Sequence, residues 1–297
     1  MYKRVLVPLD GSKLAEDIVP LAERVSRGFA IPLHLLTVIH QDAVAAMSAA
    51  GADARKQAAQ KAQGYLRGIA ERVSHSLGPA QVTMSVQVAG VADAIVQEAE
   101  RVPQTLLALS SHGRSGLTRM VLGSVADKVL HGTTAPVFLY APREDMPARQ
   151  AEDLDSLLVP LDGSALAEQA LPHAVALAKA LQLRVVLVRV TSTLADLVAD
   201  GFYEGTQLLI DELAQEAIVY LDQQAATLRQ QGLTEVDRRH LTGAAARAIL
   251  DIARDTPRSC LAMCSHGRSG VQRWALGSVA DHVVSHGAVP VLVVRAT

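Results

Sequence analysis

Aromatic residues are scarce in this chain of 297 residues, with five Tyr, three Phe and one Trp. A core here must therefore be built from Val, Leu, Ile and Ala, and 49% of the residues are hydrophobic. Charge of one sign is also lacking. Acids and bases are interspersed to a net of −2, with no basic patch or acidic tail, which argues against a nucleic-acid or membrane-surface protein. Long apolar runs are missing. The opening MYKRVLVPLDGS reaches Asp10 after a few apolar residues, too short a run for a signal peptide or a membrane span. The expectation is a cytoplasmic protein. There are two cysteines, Cys260 and Cys264. Four apart in an expected strand, they lie roughly 13 Å from one another, too far for a disulfide. Free buried thiols in a reducing compartment follow. Familiar catalytic signatures are absent as well. The chain has no GxxxxGK[ST], GxSxG or HExxH, and no His/Cys spacing that suits a zinc site. The first strand runs into Leu-Asp-Gly-Ser rather than GxGxxG, which excludes the usual dinucleotide site.

What the chain does have is a repeat. SHGRSG-x2-R-x2-LGSVAD occurs at Ser111 to Asp127 and again at Ser265 to Asp281. Residues 111–140 and 265–294 match at 16 of 30 positions without a gap. Leu6-Val7-Pro8-Leu9-Asp10-Gly11-Ser12 returns as Leu158-Val159-Pro160-Leu161-Asp162-Gly163-Ser164, and Gly90 is matched to Gly243. The unit is about 150 residues, large enough to be a domain. Domains are expected over 1–143 and 155–297, with a polar, proline-containing linker at 144–154.

Within the first unit, short branched apolar runs predict strands at Val5–Leu9, Leu33–Ile39, Val82–Val88, Leu106–Ser110 and Val137–Tyr140. Helical spacing predicts one helix after the N-cap Ser12, a long helix, continuous or broken, over 42–76, and helices over 91–101 and 124–130. The second unit repeats this order, with strands near 157–161, 184–190, 236–241, 260–264 and 291–294. Its helices are expected near 164–181, 206–230, 245–254 and 277–285. Strands apolar on both faces, alternating with helices, give an α/β chain. Right-handed crossovers make it two tandem doubly wound, Rossmann-like domains, each a five-stranded parallel sheet flanked by helices. Ligands of such sheets bind beyond the C-terminal strand ends, where Asp10 and the Ser110 to Gly116 stretch would project.

The glycines suit phosphate chemistry. Backbone N–H groups at a glycine-rich turn and a helix N-terminus converge on an anion, and glycine permits positive φ and close approach. Gly113, Gly116, Gly123 and Ser124 fit this role in the first copy, with Arg114 adding charge. Gly267, Gly270, Gly277, Ser278 and Arg268 repeat it. The same glycines could instead only build tight turns. His112 and His266 have no visible orienting partner and are read as shaping the loop or touching ligand. Asp10 and Asp162 either accept a hydrogen bond from a nucleoside or cap the next helix.

These residues resemble the universal stress protein family, in a tandem two-domain form, over nearly the whole chain. The resemblance rests on V-P-L-D-G-S, the late loop and the closing P-V-x-V strand. Nucleotide-binding members carry G-x2-G-x9-G-[ST]. Here Gly113-x9-Gly123-Ser124 and Gly267-x9-Gly277-Ser278 supply the later elements, while Ser110 and Cys264 replace the first glycine. The resemblance implies an adenine nucleotide (ATP, ADP or AMP), with Mg²⁺ on its phosphates. Pro8, Leu9 and Asp10 would lie beside adenosine, and the Val38 backbone would hold adenine. Gly113, Gly116, Gly123, Ser124 and Val125 would contact ribose and phosphates. The second set is Pro160, Leu161, Asp162, Val190, Gly267, Gly270, Gly277, Ser278 and Val279. It also implies pairing of the domains through Val137–Tyr140 and Val291–Val294, as a monomer or a homodimer of such chains. The leading expectation is a nucleotide-dependent stress-response regulator with little or no turnover. A slow Mg²⁺-dependent ATPase or phosphotransferase, and an interaction module with empty sites, are the alternatives.

Overall fold

The computed structural model describes residues 1–49, 52–110, 122–140, 153–193, 206–256, 258–265 and 276–296. The chain divides into two compact units, Met1–Glu152 and Asp153–Thr297.

The first unit contains strands β1 (Arg4–Pro8), β2 (Leu33–His40), β3 (Val82–Ala89), β4 (Thr105–Ser110) and β5 (Val137–Tyr140). Its helices are α1 (Lys13–Glu16), α2 (Val19–Phe29), α3 (Gln41–Ala49), α4 (Ala52–Leu77), α5 (Val91–Arg101) and α6 (Ser124–Gly132). The strand order is β3-β2-β1-β4-β5, and every pairing is parallel, with Val5 opposite Leu33 and Leu107 opposite Val137. The order turns back between β1 and β4, so the crevice of this sheet opens there.

The second unit repeats the plan. Its strands are β6 (Ser156–Pro160), β7 (Arg184–Thr191), β8 (Val236–Thr242), β9 (Ser259–Cys264) and β10 (Val291–Val294). Its helices are α7 (Ala165–Glu168), α8 (Ala170–Leu181), α9 (Thr206–Gln230), α10 (Ala245–Asp255) and α11 (Ser278–His286). The parallel order is β8-β7-β6-β9-β10. Leu6, Leu35 and Leu107 are fully buried in the first unit, as are Leu158, Leu187 and Leu261 in the second. Each such side chain contributes about 1.5–3 kcal/mol relative to exposure. This is the doubly wound α/β fold expected from strands apolar on both faces.

One expected helix differs in both units. The helix after Ser12 is two helices, with Asp17 and Ile18 between them, and the helix after Ser164 breaks at Gln169. The cause is proline. The ring of Pro20 conflicts with the carbonyl four residues back, at Glu16, where α1 ends, and Pro172 does the same at Glu168, where α7 ends. The match of Gly90 to Gly243 also shifts. Gly90 is the N-cap of α5, but the N-cap of α10 is Ala244. Gly243 precedes it at φ 120°, a conformation that glycine permits. No described helix is long and apolar enough to cross a membrane.

Candidate nucleotide site

The turn after the first strand has the same geometry in both units. Leu9 N–H donates to Leu36 O at 2.7 Å, and Leu161 N–H to Val188 O at 2.8 Å. Asp10 Oδ1 accepts from the Ser12 N–H at 2.9 Å and from its hydroxyl at 2.6 Å. Asp162 Oδ1 holds Ser164 at the same two distances, 2.9 and 2.6 Å. The intervening glycines, Gly11 and Gly163, stand at φ 85° and 87°, which a side chain would oppose. Ser12 and Ser164 then cap their helices, each accepting an N–H at 3.1 Å, from Ala15 and Ala167. Of the two roles open to the aspartates, capping thus belongs to the serines. The aspartates fix the turn.

Proline closes both first strands at this edge, as Pro8 and Pro160. The next strand adds Val38 or Val190, each half-buried. Side-chain alternation sends Val188 and Val190 toward α10 and the intervening Arg189 toward α9. The Arg189 guanidinium pairs with Glu216 at 3.1 Å and lies 4.9 Å over the Tyr220 ring. It also stands 3.3 Å from where a Cβ on Gly163 would sit, so it packs behind the Asp162 turn.

The opposite wall is a helix start. Gly123 is the N-cap of α6 and Gly277 of α11, and neither helix has a side-chain cap. The first-turn N–H groups of a helix have no partner within it. A glycine cap leaves them able to face an anion. Gly123 and Gly277 have φ of −61° and −63°, so positive φ is not what glycine supplies here. Ser265 fixes this start. Its carbonyl accepts from Gly277 N–H at 2.7 Å, while its N–H donates to Val294 O at 2.7 Å. Its hydroxyl accepts from Ala296 N–H at 3.2 Å.

In the second unit these parts enclose a cavity of about 270 Å³. Pro160, Leu161, Asp162, Val190, Cys264, Gly277, Ser278 and Val279 all line it. The sequence pattern did not point to Ala245 and Ile249 on α10, or to Met263, which complete an apolar wall. The signal was available: α10 follows β8, so its first turns lie at the same sheet edge. In the first unit, Pro8, Leu9 and Asp10 follow β1, Ser110 ends β4, and Ser124 and Val125 open α6. Among the described residues the buried Ser110 hydroxyl oxygen has no hydrogen-bond partner, and a polar ligand would satisfy it. His112, Gly113, Arg114, Gly116, His266, Gly267, Arg268 and Gly270 lie outside the described residues.

This edge offers a carboxylate turn, an apolar slot and a bare helix N-terminus. Among the described residues no three His, Cys, Asp or Glu side chains gather as a metal site. Cys260 and Cys264 are buried and form no disulfide among the described residues. Cys260 points its sulfur toward Ser156 O at 3.7 Å, between β6 and β9, while Cys264 faces the cavity.

Comparison with known proteins agrees with the repeat. Universal stress protein MJ0531 of Methanocaldococcus jannaschii is 31% identical over 150 residues, spanning 50% of this chain and 86% of that protein. Universal stress protein YxiE of Bacillus subtilis is 29% identical over 150 residues, covering 48% of this chain and 99% of its own. A universal stress protein structure from Archaeoglobus fulgidus covers 98% of both chains at a TM-score of 0.69 and 21% identity, a likeness of fold. The family known as the universal stress protein family matches residues 1–141 and again 154–295. The chain belongs to the universal stress protein family, in a tandem form with one family unit in each half.

Proposed function

We propose that each domain, 1–143 and 155–297, holds an adenine nucleotide at the C-terminal edge of its sheet. The bound nucleotide acts as a signal or stabilising ligand in a stress response, with little or no turnover. The observation that carries this reading is the second-unit cavity, walled by the Asp162 turn and by the uncapped start of α11. Asp10 and Asp162 would take a nucleoside hydroxyl. The backbones of Val38 and Val190 would hold the base. Gly123, Ser124 and Val125, with Gly277, Ser278 and Val279, would hold phosphates, which bring Mg²⁺ as their counter-ion. The residues outside the described segments, from His112 to Gly116 and from His266 to Gly270, complete the cradle in this reading. Pairing through Val137–Tyr140 and Val291–Val294 remains part of the proposal, and an engineered cysteine in each strand checks it.

Equilibrium dialysis with labelled ATP tests the central claim. Up to two equivalents are expected, and Gly123→Val with Gly277→Val should abolish uptake, because each added side chain enters the cradle. No binding at millimolar ATP sinks the proposal. The two sites should also differ. Ser110 offers a hydroxyl with no partner among the described residues where the second site has a thiol, a weak donor and acceptor. A net hydrogen bond of about 1 kcal/mol predicts roughly fivefold tighter binding at the first site. Ser110→Ala should remove that advantage in site-resolved titrations.

A further inference from the structure

The C-terminal end of α11 carries a histidine pair that the nucleotide reading leaves unused. His282 and His286 are four residues apart, so they share one face of the helix one turn apart. Their rings lie 4.1 Å apart, centroid to centroid, with planes inclined by 16°. His282 is exposed and His286 half-buried. His286 Nδ1 lies 3.0 Å from the His282 carbonyl oxygen. A carbonyl only accepts, so Nδ1 carries the proton and Nε2 presents its lone pair. Metal-bound imidazoles are set in this way, with the second ring nitrogen donating to a carbonyl that fixes tautomer and orientation. The position adds to this, since the C-terminal turn of a helix carries negative potential that favours a cation.

We propose that His282 and His286 form a two-imidazole site for a divalent transition metal of the Zn²⁺, Ni²⁺ and Cu²⁺ class. Two histidines at i and i+4 on a helix are a recurring chelate for such ions, and imidazole nitrogen suits all three. With His286 held by its carbonyl contact, rotation of the exposed His282 side chain would bring both Nε2 atoms onto one ion, and water completes the coordination. A pair supplies only two of the four ligands of a closed zinc site, which is why spacing rules for such sites pass over it. The first unit lacks the second imidazole, since His131 of α6 has the Asp127 carboxylate, at 3.2 Å, four residues before it. Lys128 and Gly132 hold the fifth and ninth positions of α6, where α11 has His282 and His286.

Ni²⁺ titrated into the untagged, nucleotide-free chain tests the site by calorimetry and by the thermal midpoint. One ion per chain at micromolar affinity is expected, with a rise in midpoint because the ion binds only the folded helix. His282→Ala and His286→Ala should each weaken binding by at least roughly tenfold, or 1.4 kcal/mol, and remove the rise. Both sites of substitution lie on the helix surface, so far-ultraviolet circular dichroism of the metal-free variants should match the parent. Lys128→Ala should bind as the parent does. Retention of full affinity in either histidine variant overturns the proposal, as does absence of uptake at millimolar Ni²⁺. Neither outcome bears on nucleotide binding.

Discussion

Arg4 and Ser156 occupy the same place in the two units, at the start of the first strand. Arg4 stands in register with Thr105 and Ser156 with Ser259. Around them the units are built differently. Arg4 is buried and donates to Thr105 Oγ1 at 2.9 Å, to Glu98 Oε1 at 2.8 Å and to the Glu98 carbonyl. Glu98, equally buried, also receives Gln87 at 3.1 Å and Arg101 at 2.8 Å. The second unit has no buried ion pair at this spot among its described residues. Ser156 bridges Asp155 at 2.5 Å and Arg184 at 2.9 Å. The position of Glu98, eighth in α5, is Ile252 in α10. The remaining charges, Asp155 and Arg258, pair at the surface. The shared apolar strands therefore specify the fold, and the polar filling at their base is free to diverge. A buried ion pair and an apolar-plus-hydroxyl arrangement serve the same backbone, as expected if desolvation offsets most of the attraction within the pair.

The largest expected effect breaks this arrangement from one side. Arg4→Ala leaves Glu98 buried with the exposed Arg101 as its remaining cation, and should destabilise the first unit by about 3 to 5 kcal/mol. Hydrogen-exchange mass spectrometry reads the units separately. Peptides of β1, β2 and α5 should lose protection, and those of β6, β7 and α10 should keep it. Arg4→Ser combined with Glu98→Ile writes the second unit's solution into the first and should recover most of the loss. Equal loss in both units, or no recovery in the double variant, would show that the base of the sheet is not the independent element described above.

Acid probes the same contrast more gently. Burial alone would raise the Glu98 pKa, but hydrogen bonds from Arg101 and Arg4 and the charges of both arginines bring it down to about 2. A carboxyl depressed in the folded state stabilises it above the unfolded value, near 4.5. That stability is lost as pH falls through the interval from there to about 2. The shift corresponds to about 3 kcal/mol. Histidines do not separate the units. Burial lowers His34 in the first unit and His173 and His240 in the second, so both lose stability in the same sense as pH falls below the ordinary histidine range. Between pH 4.5 and 2 the first unit should lose protection ahead of the second, and Glu98→Gln should flatten that difference.

Much of this was legible in the sequence because the repeat gives each inference twice. The strands and their parallel pairing follow from branched apolar runs alternating with helical spacing. The eight described second-unit positions taken from motif and resemblance all reach the cavity. What escaped has particular causes. Periodicity reads one helix after Ser12 and one after Ser164, but the clash of Pro20 with Glu16 and of Pro172 with Glu168 divides each. Gly243 was paired with Gly90 by identity, whereas the helix start lies one residue later, because β8 delivers a positive-φ glycine ahead of its cap. Of the two properties that glycine offers, positive φ and close approach, Gly123 and Gly277 do not use the first. Arg4, Glu98 and Arg189 were invisible as buried residues, because a charged side chain in a pattern reads as exposed until its partner, distant in sequence, is known.

The smallest predicted effect sharpens the comparison where the units should not differ. Ser12 and Ser164 have the same neighbours at the same distances, an Asp carboxylate at 2.6 Å and a first-turn N–H at 3.1 Å. Removing either hydroxyl costs the cap and leaves one aspartate acceptor with one bond fewer, a loss of roughly 0.5–2 kcal/mol. The turn itself survives, because the backbone N–H of residue 12 or 164 still reaches the same carboxylate at 2.9 Å. Denaturant unfolding of Ser12→Ala and Ser164→Ala, followed by hydrogen exchange in α1 and α7, should give values within about 0.5 kcal/mol of each other, the usual tolerance for independent sites. The environments diverge only behind the turn, where Arg189 packs against Gly163 and pairs with Glu216. At the same strand position in the first unit, Thr37 donates to the Leu9 carbonyl at 2.9 Å. A clearly larger loss for Ser164→Ala would therefore mean that the buried guanidinium depends on the geometry of the capped turn, and that the divergence at the base of the sheets extends to the edge where ligand is proposed to bind.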